Sequence, residues 1–218
     1  EKTETNLIAR GVETLDITAN AELVATGTDF GLSNDTGMPG ADPNDGGNLK
    51  DVTISGNSAV DLGSLYPNRD LNSFNASANT GGVTAVVATG ETSQRGDISE
   101  FVLSSGADDF TVGADFYGTT GAVGGDVSLG ESDDTLTIGS NLDSAGAQLD
   151  GGAGRDTLAL NSASAVAVGS GFASTLSNFE VLEISDQVDL GSSGASGDRT
   201  INVGELGFDE VVTNGTTS

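Results

Sequence analysis

The sequence predicts an all-β protein, a right-handed parallel β-solenoid with irregular loop insertions. Three observations carry that prediction. Short β-branched runs bounded by Gly, Asn, Asp and Ser dominate the 218 residues, and helical periodicity is scarce. One nine-residue stretch, GGAGRDTLA from Gly151 to Ala159, fits the pattern G-G-x-G-x-D-x-U-x at every specified position, where U is large and aliphatic; tandem copies of that pattern build a parallel β-roll. Two degraded versions precede it. Leu103 to Thr111 keeps Gly106, Asp108 and Phe110, and Leu129 to Thr137 keeps Gly130, Asp134 and Leu136.

The elements follow in chain order. GVETLDIT, Gly11 to Thr18, reads as a strand with Leu15 and Ile17 facing inward and Thr14 and Asp16 facing water. The same segment recurs as NFEVLEIS, Asn178 to Ser185, with Glu180 matching Glu13 at an offset of 167 residues. Asp29 to Gly47 reads as an exposed acidic loop. Its DPNDGG, Asp42 to Gly47, starts like an EF-hand but has Thr53 where the bidentate Glu belongs, so an ordinary surface loop is the better reading. Val52 and Ile54 mark the next strand. Leu71 with Phe74, then Val83 to Ala88, read as two inward-facing segments joined at Asn79 to Gly82. Ile98 to Leu103 leads into the first Asp turn, and residues 110–138 carry three more strands, one at Asp126 to Leu129. Ala163 to Phe172 reads as either a strand or a short helix. Strands near Ile201 to Val203 and Val211 to Val212 end the chain, with a helical turn at Gly204 to Gly207. Residues 1–70 form a β-rich flank with the acidic loop, and residues 71–218 the solenoid repeat with the start of the next.

In each of the three turns an Asp stands two residues before a large apolar residue. The positions 108, 134 and 156 are separated by 26 and 22 residues. A tandem nonapeptide array would space them by about 9 or 18. Each step therefore reads as one coil with a longer return path, which stacks the Asp turns on one edge. Glycines let such a turn close tightly with its carbonyls aimed at one spot, and Asp156 supplies a charged oxygen there. Hard cations such as Ca²⁺ take six to eight oxygen ligands. Three ordinary Asp/Gly turns are the competing reading, more so for Asp108 and Asp134 than for Asp156.

Composition excludes several functions. Seven basic residues stand against 33 acidic ones, a net charge of -26. Phosphate binding needs Lys and Arg, so nucleic acid and anionic membranes are poor partners, whereas divalent cations relieve the self-repulsion. There is no histidine, which removes a His general base and any His-bearing zinc site. There is no cysteine, so no disulfide staples the fold, and a structural metal is the usual substitute. No apolar run is long enough to cross a membrane, and EKTETNLIAR lacks the regions of a signal peptide. The chain reads as a segment of something larger.

Together with LSNFEVLEIS, DVTISGNSAVDLGSL and FNASANTGGVTAVVATG, the GGAGRDTLAL element resembles RTX-type proteins, in particular the RTX-type surface-layer proteins of Gram-negative bacteria. The resemblance implies a Ca²⁺-dependent RTX-like β-roll, type I secretion, and self-assembly into a lattice on the outer membrane, with lipopolysaccharide reached through other domains. It places the Ca²⁺-binding carboxylates at Asp156, Asp134 and Asp108, with backbone carbonyls around Gly151, Gly152 and Ala153 completing the site. Spacing departs from the family, since tight tandem nonapeptides are absent.

The expected function is a Ca²⁺-dependent structural protein of an extracellular surface layer. A passive solenoid spacer in a secreted adhesin is the alternative, and assembly separates the two. An enzyme is not expected. Asp108/Asp109 and Asp133/Asp134 are adjacent in sequence, and neighbours on a strand point to opposite faces.

Overall fold

The computed structural model describes residues 13–25, 50–65, 72–87, 100–112, 125–138, 147–160, 174–184 and 206–213. Its strands are β1 (Thr14–Ala19), β2 (Leu23–Val24), β3 (Asp51–Gly56), β4 (Val60–Leu65), β5 (Ser73–Asn79), β6 (Val83–Val87), β7 (Glu100–Val102), β8 (Asp109–Val112), β9 (Asp126–Ser128), β10 (Thr135–Ile138), β11 (Leu149–Asp150), β12 (Thr157–Leu160), β13 (Leu176–Ser177), β14 (Val181–Ile184) and β15 (Glu210–Thr213). The odd strands from β1 to β13 form a seven-stranded sheet in sequence order. The even strands and β15 form an eight-stranded sheet in the order β15-β14-β12-β10-β8-β6-β4-β2. The named strand pairings are all parallel, for example Thr135↔Thr157 and Thr135↔Asp109. This is a parallel β-solenoid: the chain lays one strand in one sheet, turns, lays one in the other, and returns one rung further along. Among the described residues helix is confined to Leu206, followed by a turn at Gly207, within the expected helical turn.

Alternation decides which side chains fill it. In β3, Val52 and Ile54 are buried while Thr53 is exposed, and in β6 Val83, Ala85 and Val87 are buried while Thr84 is exposed. Successive residues on a strand point to opposite faces, so one face of each short strand suffices to build the core. In parallel register, like stacks on like: Phe110, Leu136, Leu158 and Leu182 form one fully buried column. Phe74, Phe101 and Phe110 meet across the two sheets with ring centroids 5.3–6.2 Å apart. Such aromatic pairs add about 0.5–1.5 kcal/mol each beyond their burial.

Glycines in the turns are imposed by stacking. A Cβ on Gly130 would lie 2.0 Å from the Ser104 carbonyl oxygen, and one on Gly152 would lie 2.0 Å from that of Gly130. Both have positive φ, 109° and 96°. The successive turns therefore nest backbone on backbone, and no side chain fits between them.

Most expected strands are where the sequence puts them. Asp126 to Leu129 contains β9, and Val83 to Val87 is β6. The two copies of the repeated segment have different places, however. Thr14 to Thr18 of the first copy lie in β1 of the seven-stranded sheet, and Val181 to Ile184 of the second form β14 of the eight-stranded one. The shared pattern encodes the same local hydrogen bonding: the Glu13 carbonyl accepts from Lys50 and Asp51 amides as the Glu180 carbonyl accepts from Asp209 and Glu210 amides. It does not encode which sheet the strand joins. The loop at Asp29 to Gly47, the segment Ala163 to Phe172 and the strand near Ile201 lie outside the described residues, as do Gly204 and Glu205 of the expected helical turn.

Truncating the aromatic cluster tests the core. Phe110→Ala should cost about 3–5 kcal/mol. Val211→Ala should cost under about 1 kcal/mol, because Val211 ends the Phe110 column and is 40% exposed. Urea denaturation followed by far-UV CD measures both.

Candidate functional site

Asp108, Asp134 and Asp156 each occupy the last position of a turn, one residue before β8, β10 and β12. Because those strands pair in register, the three aspartates stand in a file along one edge of the solenoid, as the 26- and 22-residue steps predict. All three point inward and are buried, with 4%, 1% and 0% of their surface exposed. Their sequence neighbours Asp109 and Asp133 are exposed, so neither adjacent pair converges.

Backbone hydrogen bonds tie the file together. The Asp108 amide donates to Asp134 Oδ1 at 2.7 Å, and the Asp134 amide donates to Asp156 Oδ1 at 2.9 Å. The Asp156 amide donates to Glu180 Oε2 at 2.8 Å. Each acid thus accepts the amide of the acid one coil earlier. Glu180 belongs to the file although the nonapeptide pattern does not reach it. Its signal is present all the same, since it too stands two residues before a buried aliphatic residue, Leu182.

The second carboxylate oxygens separate the three aspartates. Asp108 is saturated: Oδ1 accepts from the Val83 amide at 2.5 Å and the Ser104 hydroxyl at 2.7 Å, and Oδ2 accepts from the Ser104 amide at 2.9 Å. Asp134 and Asp156 have no such donors. Among the described residues, their Oδ2 atoms are the buried side-chain oxygens without a hydrogen-bond partner. A buried polar atom left unpaired costs about 1–3 kcal/mol, more when charged.

Gly151, Gly152 and Ala153 form the turn beside Asp156. A Cβ on Gly151 would meet the Asp156 Cβ at 2.8 Å and the Asn178 carbonyl oxygen at 2.0 Å. Gly152 donates its amide to Asp150 Oδ1 at 3.1 Å, and Ala153 donates to the Gly130 carbonyl at 2.9 Å. These residues hold the Asp150–Asp156 turn against its neighbours. Among the described residues no three acidic side chains converge on one point. The aspartates form a file with one member per coil. Asp134 and Asp156, on adjacent coils, are the residues that would hold a cation in this file, and it would supply positive charge to their carboxylates.

The electrostatics follow from burial. Removal from water pushes Asp134 up to about 8 from an ordinary 3.8, and the nearby Asp108, Asp156 and Asp133 carboxylates push the same way, against the lowering effect of the Asp108 amide. Burial pushes Asp108 up to about 6, held back by the Ser104 and Val83 donors. Asp156 is also raised by burial, reinforced by Glu180, Asp133 and Asp150. Burial therefore favours the protonated Asp134 carboxyl at neutral pH. The orphaned oxygens and the all-oxygen donor set fit a hard divalent cation such as Ca²⁺.

Comparison of the chain with protein-family models, curated proteins and solved structures gives no match.

A carboxyl whose folded pKa lies above its unfolded value binds its proton more tightly in the fold. The stability it contributes is complete below about 3.8 and is lost as pH rises through the folded value, here about 6 to 8. In chelator, the melting temperature should therefore be higher at pH 5 than at pH 8, the reverse of a fold held by ion-paired carboxylates. Asp134→Asn should flatten the slope between pH 6 and 8, and Asp16→Asn, on the exposed face, should leave it unchanged. Thermal CD across pH reads both.

Proposed function

We propose that this chain is a Ca²⁺-dependent structural protein of an extracellular bacterial surface layer, and that it self-assembles. One observation carries the reading: Asp134 and Asp156, stacked in one file on adjacent coils, each bury a carboxylate oxygen that no donor among the described residues reaches. A divalent cation between these rungs supplies the missing positive charge and ties β10 to β12 through their turns. Binding energy at such a site is folding energy, because the site does not exist until the coils stack. The resemblance to RTX-type surface-layer proteins and the net charge of -26 support the same reading. On the outer faces, exposed carboxylates such as Asp16, Glu100 and Asp126 give neighbouring copies acidic surfaces that free Ca²⁺ can bridge.

Two measurements test it. Far-UV CD should show a cooperative gain of β-structure on adding Ca²⁺ and its loss in chelator, and light scattering should rise with Ca²⁺ at concentrations that saturate the fold. Asp134→Asn and Asp156→Asn should each shift the Ca²⁺ midpoint of folding upward by about ten-fold or more, since ligand charge sets affinity at such sites. A fold indifferent to chelation would remove the reading. Ca²⁺-dependent folding without any association would leave the cation site standing and favour a monomeric spacer.

A further inference from the structure

The turns that join the two sheets change character along the solenoid. Before the turn between β5 and β6 no acid stands in the file: Val83 lies opposite Asp108, and the buried polar side chain at the end of β5 is a neutral amide. Asn79 is fully buried, donates from Nδ2 to the Ser58 carbonyl at 3.1 Å and accepts the Gly81 amide at 2.9 Å. The next turn, between β7 and β8, buries the Asp108 carboxylate but surrounds it with three protein donors. The two turns after that, between β9 and β10 and between β11 and β12, bury Asp134 and Asp156 with an orphaned oxygen each.

One position accounts for the difference. Registers Val102↔Ser128 and Ser128↔Asp150, extended by two residues, align Ser104 with Gly130 and Gly152. Each stands four residues before its aspartate. Ser104 donates its hydroxyl and its amide to Asp108, and the hydroxyl also accepts the Gly106 amide at 3.1 Å, which fixes its rotamer. Gly130 and Gly152 have no side chain to offer. Nor can they gain one, since a Cβ at either would lie 2.0 Å from the carbonyl of the preceding coil. The orphaned atoms are Oδ2, and at Asp108 the Oδ2 donor is the Ser104 backbone amide; at the equivalent position Gly152 turns its amide to Asp150 Oδ1 instead and has no hydroxyl to add.

We infer that the cation requirement is confined to the C-terminal half of the solenoid, and that Ser104 marks its boundary, its amide and hydroxyl holding Asp108 as a cation holds Asp134 and Asp156. The inference rests on the cation reading above and adds a location to it. The half from β3 to β8, which contains the Phe74–Phe101–Phe110 cluster, is complete without metal. The half from β9 to β14 is not. Ser104 acts as a positioning residue, through Asp108. Calcium depletion then opens one half of the molecule and leaves the other as a folded template on which the coils re-form.

Hydrogen exchange of the full chain, read by mass spectrometry in Ca²⁺ and in chelator, tests this. Segments 73–87 and 100–112 should exchange at the same rate in both. Segments 126–138 and 149–160 should exchange faster in chelator by about ten-fold or more, the cost of stranding a buried acceptor. Ser104→Ala removes the hydroxyl but keeps the Ser104 and Val83 amides on the two oxygens of Asp108, so segment 100–112 should stay insensitive to chelator; chelator-sensitive exchange there would overturn the boundary. Equal acceleration of all four segments would overturn the boundary while leaving the cation reading intact. No acceleration in any segment would remove the cation reading, and the inference with it. If Ser104→Ala does not fold, the four-segment comparison in the unsubstituted chain still decides.

Discussion

Parallel coils laid in register set every residue against its counterpart one rung away, at about 4.8 Å. The interior benefits, because Phe110, Leu136, Leu158 and Leu182 make a continuous apolar column from strands of only four residues. The turns bear the opposite consequence. An acid chosen once to accept a backbone amide is repeated beside itself, and like charges accumulate in a region removed from water. The solenoid therefore generates, from one geometric rule, both its hydrophobic core and its electrostatic problem.

How each turn meets that problem differs, and the differences are local. Val83 stands uncharged in the file beside Asp108, Asp108 is held by Ser104 and Val83, and Asp134 and Asp156 each keep one carboxylate oxygen without a donor among the described residues. Surface ion pairs do little to compensate. Lys50–Glu13 and Arg155–Glu210 are both exposed, where such pairs contribute from nothing to about 1 kcal/mol. Seven basic residues cannot pair with more than a minority of the 33 acidic ones. This links composition to site: the excess of acid in the chain and the file of buried carboxylates both concentrate negative charge with few basic partners.

Much of this was legible in the sequence. Alternation in DVTIS and the spacing of Asp before a large apolar residue follow from local rules, the two-residue period of a strand and the turn that precedes it. The file of Asp108, Asp134 and Asp156 was legible for the same reason, since coil length fixes stacking once the fold is known. The division among them was not. Whether a carboxylate oxygen is satisfied depends on donors from other coils, such as Val83, 25 residues away from Asp108. Glu180 escaped the pattern because a motif with glycines at fixed offsets does not describe a turn that lacks them. The recurrence of GVETLDIT as NFEVLEIS suggested equivalent places in a repeat, yet the two fall in opposite sheets.

The sequence by itself determined the class of fold, the inward residues of each strand, and the acidic character of one edge, because these depend on period, turn chemistry and charge that neighbouring residues carry. Only the tertiary structure decided which sheet each strand joins, that Gly130 and Gly152 are excluded from bearing side chains, and that both oxygens of Asp108 find donors while Asp134 Oδ2 finds none among the described residues. Those outcomes are fixed by contacts across coils, where a carbonyl from one turn occupies the space of the next, and no local pattern records which residue will lie opposite which.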